Sequence, residues 1–148
     1  MVLRPNLSLS MQFADKSDRA ALPRYKVKRW LQAALRVPAE ITIRLVDEAE
    51  GLALNREYRG QDHATNVLTF DYARQPCVLA DLVLCTPVVR HEAAVCRIEL
   101  QAHYAHLIVH GALHAQGMDH LLEVEAREME SAESAILLAL GYPDPYAH

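Results

Sequence analysis

Strand-forming and helix-forming patterns are segregated along this chain, and that constrains its fold more than any other feature. LSLSMQ (7–12) alternates apolar and polar residues as a half-buried strand does. ITIRLV (41–46) is rich in β-branched residues, and NVLTFDY (66–72) and DLVLC (81–85) read as two more strands, with Pro76 marking their connection. Two helices are predicted among these strands. In the first, Leu22, Tyr25, Val27, Trp30, Leu31 and Ala34 recur at helical spacing within 22–35, and Pro38 ends the segment. The second runs from about Glu48 to Tyr58, with Asp47 as its cap. Beyond Cys85 only helical patterns remain. Thr86 followed by Pro87 predicts a capping side chain and then proline in the first turn of a helix reaching about Cys96. Longer helices are predicted from about Glu99 to Ala115 and from Glu123 to Leu140, the last stopped by Gly141 and Pro143. The expected class is α+β: a small mixed sheet of about four strands packed by about five helices. With 148 residues and no linker, low-complexity tract or repeat, the chain is expected to form one domain over 1–148.

Charge follows the same division. Residues 1–60 carry 11 Lys/Arg against 7 Asp/Glu, whereas 61–148 carry 4 against 12, balances of +4 and −8 that make up the net −4. That mildly acidic total argues against a strong nonspecific polyanion binder. No apolar run reaches the roughly 18 residues that cross a bilayer, and the N-terminus lacks a signal-peptide pattern. A cytoplasmic protein with no membrane partner is expected. Cys77, Cys85 and Cys96 fit no metal or redox spacing, so reduced, mostly buried thiols and no disulfide-linked partner are predicted.

The most informative run is HGALHAQGMDH, residues 110–120. His110 and His114 stand four apart on a predicted helix, so both imidazoles share one face and can meet one ion. Gly117 permits a backbone turn that brings His120 back as a third ligand. Three histidines with an open fourth position are the pattern of catalytic rather than structural zinc. Their spacing equals that of the metzincin proteases, glycine included. The glutamate that serves those enzymes as base is missing, because position 111 is glycine. The metal arrangement is kept while the peptidase base is not. His103 and His106 lie on the same stripe and are read as structural or as supports for the ligands, and Asp119 is the only carboxylate inside the motif.

A second stretch, LNREYRGQDHATNVLTF (54–70), gathers Arg56, Arg59, Asp62, Thr65 and Asn66 ahead of a strand. Taken with the histidine run, it resembles the YbeY family, the bacterial endoribonucleases called rRNA maturation factors. The likeness lies in NREYRGQDHATNVLTF, ADLVLC and HGALHAQGMDH in that order, then LALGYPDPY, and spans about Ile41 to Tyr146. Ala80, Asp71, Thr69, Gln116 and Met118 depart from the family pattern, and none is a predicted ligand. The resemblance implies one zinc-like ion held by His110, His114 and His120, and Arg59 as the important basic residue near it. It also implies RNA cleavage in small-subunit (16S) rRNA maturation and ribosome quality control, with rRNA precursors, ribosomal particles and ribosome-associated proteins as partners.

An all-nitrogen ligand set favours Zn2+, one per chain. Arg59 is expected across a cleft between sheet and histidine helix, where its fixed charge can meet phosphate oxygens. Arg24, Lys26, Lys28, Arg29, Arg44 and Arg56 are further candidates for RNA contact. Two other readings share these residues: a zinc peptidase or amidase, and a ribosome-assembly factor with a structural metal.

Overall fold

The computed structural model describes residues 5–118 and 122–147. Its sheet has four strands, β1 (Leu7–Phe13), β2 (Ala39–Val46), β3 (Val67–Ala73) and β4 (Val78–Cys85), in the spatial order β1-β2-β4-β3. The pairs β1–β2 and β2–β4 are parallel and β3–β4 is antiparallel, so the sheet is mixed and β3 forms one edge. Five α-helices accompany it: α1 (Arg24–Ala34), α2 (Glu48–Arg59), α3 (Thr86–Cys96), α4 (Leu100–Ala115) and α5 (Glu123–Leu140). This is the α+β arrangement expected from the segregated patterns.

Side-chain alternation along β4 divides the interior. Leu82 and Leu84 join the main core with Ile41, Ile43, Trp30, Ile108 and Leu137, contributed by β2, α1, α4 and α5. Val83 and Cys85 face the other way and pack with Val46, Leu68, Leu54 and Phe70. Helix α4 therefore lies on one face of the sheet and α2 on the other. Both press close to it through glycines. A Cβ on Gly111 would stand 2.9 Å from Leu82 Cδ2, and one on Gly51 would stand 3.0 Å from Cys85 Sγ.

Local chemistry explains most boundaries. Asp47 caps α2 by accepting from Glu50 N–H at 2.9 Å, and Gly60 ends that helix at φ 67°. Gly141 ends α5 at φ 93°. Thr86 was expected to cap α3 but does not. The helix begins at Thr86 itself after Cys85, and the Thr86 hydroxyl donates to the Asp15 carboxylate, tying the segment after β1 to α3. The cysteines also differ from expectation. Cys85 alone is buried, Cys77 is half-buried and Cys96 is exposed, because the last turn of α3 faces solvent. All three are free thiols, and burial raises the pKa of Cys85.

Candidate active site

The chemistry-bearing residues converge on a cavity of about 440 Å³. Its wall includes Arg59 from the last turn of α2, Val67 to Tyr72 of β3, and His110 and His114 of α4. The strand residues that line it come from both faces of β3. Leu68 and Phe70 point to the side of α2, while Val67 and Thr69, paired with Leu84 and Leu82, point to the side of α4. The cavity therefore follows the outer edge of β3. This corrects the expected cleft between sheet and histidine helix. Helices α2 and α4 pack on opposite faces, and the cavity takes Arg59 from one and His110 and His114 from the other.

His110 and His114 are both half-buried on α4. The helix finishes one residue beyond His114, and Gly117 turns the chain at φ 104°. A Cβ at Gly117 would meet the Arg74 guanidinium at 3.3 Å, so the turn is also crowded. His120 and Asp119 lie outside the described residues. Among those described, no three His, Cys, Asp or Glu side chains are grouped closely enough to hold an ion. Two of the three predicted ligands are thus placed side by side.

What holds them was not legible in the motif. Glu133 of α5 is 1% exposed and lies against α4. Its Oε1 accepts from His106 Nε2 at 2.8 Å, His110 Nδ1 at 3.2 Å and the Tyr146 hydroxyl at 3.0 Å. Burial alone would raise the pKa of this carboxyl, but hydrogen bonds from His106 and His110 outweigh it and hold Glu133 at about 2. Burial and the neighbouring carboxylate push Tyr146 well above the usual phenol range, so its hydroxyl stays a donor. A second carboxylate, Glu92 of α3, accepts from His103 Nε2 at 2.9 Å and from Asn66 Nδ2 at 3.1 Å. Each carboxylate binds the histidine stripe to a neighbouring element. Glu133 ties it to α5, and Glu92 ties it to the loop before β3. One signal could have exposed Glu133: with Met129 and Leu137 it occupies the buried stripe of α5 at spacing i, i+4, i+8, where an unpartnered charge is not tolerated.

The basic candidates separate on inspection. Arg44 makes a two-point ion pair with Glu50, at 2.6 and 2.9 Å. Arg56 pairs with Asp62, Arg24 donates to the Leu9 carbonyl and Lys26 to Gln101. Arg59 is exposed on the cavity wall. Arg74 pairs with Asp71 at 3.0 Å beside Gly117 and neutralises the one acidic side chain that lines the cavity among the described residues. Asn55, in the same polar stretch, is buried and structural: its Nδ2 donates to the His63 carbonyl at 2.7 Å and holds the loop that leads from α2 to β3.

The residue types present suit a divalent ion. Because Glu133 accepts from Nδ1 of His110, Nε2 is the nitrogen that imidazole could offer an ion, the arrangement in which a carboxylate fixes both tautomer and ring orientation. Glutamate is sterically excluded from position 111, which faces Leu82 rather than the cavity. The peptidase base is therefore absent by packing as well as by sequence.

Comparison with known proteins places this geometry. The family model described as Endoribonuclease YbeY matches residues 12–141. The chain is 64% identical over 144 residues to Endoribonuclease YbeY of Methylibium petroleiphilum, covering 97% of each chain. It is 60% identical to the protein of that name from Paracidovorax citrulli, covering 95% of this chain and 96% of that one. Its fold is similar to the solution structure of TM1509 from Thermotoga maritima, with TM-score 0.61 and 20% identity, covering 96% of this chain and 99% of the other.

Proposed function

This chain belongs to the endoribonuclease YbeY family, and we propose that it hydrolyses RNA phosphodiester bonds in rRNA processing at the cavity along the edge of β3, using one Zn2+ held by His110, His114 and His120. The observation that carries the proposal is that Arg59 and the two neighbouring histidines line one cavity. Bound by such ligands, a zinc ion would supply Lewis acidity to a phosphoryl oxygen and would lower the pKa of water to about 7.

The chain's own residues do the rest. Glu133 fixes the ring of His110 through Nδ1, and the Tyr146 hydroxyl and His106 hold Glu133 in place. Arg59 offers a permanently charged, planar guanidinium to phosphate oxygens, whose negative charge increases as the phosphodiester is cleaved. Its exposure costs nothing while no substrate is present and gives a two-point contact when a phosphate arrives. Among the described residues no helix is long and apolar enough to cross a membrane, and we place the protein in the cytoplasm. Small-subunit (16S) rRNA precursors, within ribosomal particles and delivered by ribosome-associated proteins, are the substrate we assign. With net charge −4, the chain is expected to hold free RNA weakly and with strong salt dependence.

The test compares single-stranded RNA, duplex RNA and a casein-type peptide substrate at low salt, each with and without a chelator. Cleavage of single-stranded RNA that stops with the chelator supports the proposal. Peptide cleavage would move it to the zinc peptidases. No cleavage of any RNA, ribosomal particles included, would favour an assembly factor with a structural metal.

A further inference from the structure

We propose that Tyr58 and Tyr72 form a nucleobase-stacking platform on the rim of the cavity, which grips unpaired bases of the RNA while Arg59 meets the adjoining phosphate. The proposal rests on the RNA-cleaving reading of this site and adds how the strand is held. Both rings line the cavity together with Arg59, His110 and His114. They are 60% and 62% exposed, so both present ring surface to solvent at the cleft.

Neither ring is loose. Tyr58 meets Phe70 edge-on, with centroids 4.9 Å apart and planes at 76°. Tyr72 is pinned at its far end, where its hydroxyl donates to Asp81 Oδ2 at 2.9 Å. It stands at the irregularity in the β3–β4 register between Asp71 and Ala73, the kind of bulge that re-aims a side chain at a strand edge. Anchored aromatic rings offer area without further ordering cost. A permanent cation beside two aromatic surfaces matches a nucleotide: a planar base for the ring, an anionic phosphate for the arginine. It does not match an apolar peptide side chain, which would leave Arg59 unanswered. Bases inside a duplex have their faces occupied, so the platform selects single strands by chemistry rather than by sequence.

The experiment uses the full metal-loaded chain and a short single-stranded oligoribonucleotide, its counterpart in which the central bases are removed to leave abasic ribose, and a version carrying 2-aminopurine. Wild-type protein is expected to bind the intact strand about tenfold more tightly than the abasic one and to quench 2-aminopurine. Tyr72→Ala and Tyr58→Ala should each erase most of that preference while leaving affinity for the abasic strand unchanged. Tyr72→Phe, which keeps the ring and loses the anchor, should retain more of it than Tyr72→Ala. Equal wild-type affinity for intact and abasic strands, with RNA still cleaved, would overturn the platform and leave the nuclease reading standing. Loss of all RNA binding and cleavage in the wild type would remove both. The wild-type comparison needs no variant, so a substitution that fails to fold does not protect the proposal.

Discussion

The two walls of the cavity are built on opposite principles. Along α4, which gives one wall through His110 and His114, the stripe of His103, His106 and His110 is locked by carboxylates from α3 and α5, and Glu133 is 1% exposed beneath it. On the α2 wall, Tyr58 and Arg59 project into solvent from the last turn of a helix. The first wall has its geometry fixed during folding, at the cost of burying charge. The second is set up to meet substrate and contributes little to the fold. A change on the α4 wall should therefore reach stability, metal and activity together, whereas a change on the α2 wall should reach activity alone.

The sharpest way to break that contrast is Gly111→Glu, which would restore the metzincin-type motif in sequence. The new Cβ would stand 2.9 Å from Leu82 and the carboxylate would enter a core with no partner. A loss of about 4 kcal/mol or more in folding stability is expected, with no peptidase activity gained. A stably folded variant in a urea titration would show that α4 does not press on β4 as described.

Next in size is Glu133→Ala. It leaves three donors facing a buried hole, and removing one partner of a buried charged group costs about 3 kcal/mol. Zinc affinity should also fall by about 10- to 100-fold, read by competition with a chromophoric chelator. Unchanged affinity at reduced stability would confine Glu133 to the fold.

Arg59→Glu makes the contrasting case. Stability should move by less than about 0.5 kcal/mol, because the side chain is exposed. RNA cleavage should drop by about 10²- to 10³-fold, with zinc content intact. A destabilised Arg59→Glu, or one that cleaves normally, would erase the distinction between the walls. The smallest effect is expected for Arg56→Ala, about five-sixths of a turn from Arg59. Its exposed pair with Asp62 is worth at most about 1 kcal/mol, and its loss should leave cleavage within about twofold.

The two walls also differed in how far they could be read from sequence. Segregated strand and helix patterns led to the four-stranded mixed sheet and five helices, because alternation and helical spacing report burial locally. The histidine pair was legible because i, i+4 spacing is a property of one helix. Glu133 was not, since its partners are 27 and 23 residues away in sequence and only packing of α5 on α4 brings them together. The course of the cavity along the edge of β3 depends likewise on α2 and α4 taking opposite faces of the sheet, which no local pattern encodes. Thr86 illustrates the reverse case. Its position before proline is a sound capping signal, yet a hydrogen bond to Asp15, 71 residues away, took the hydroxyl instead.

Cleavage is proposed to require an ion that His110, His114 and His120 would hold. The most direct measurement purifies wild type and His114→Ala in parallel, determines zinc per chain by elemental analysis, and follows cleavage of one single-stranded RNA by both. One zinc and chelator-sensitive cleavage are expected in the wild type, with both lost in a His114→Ala protein that still folds. Equal cleavage by the two preparations, or full zinc retention by His114→Ala, would contradict it.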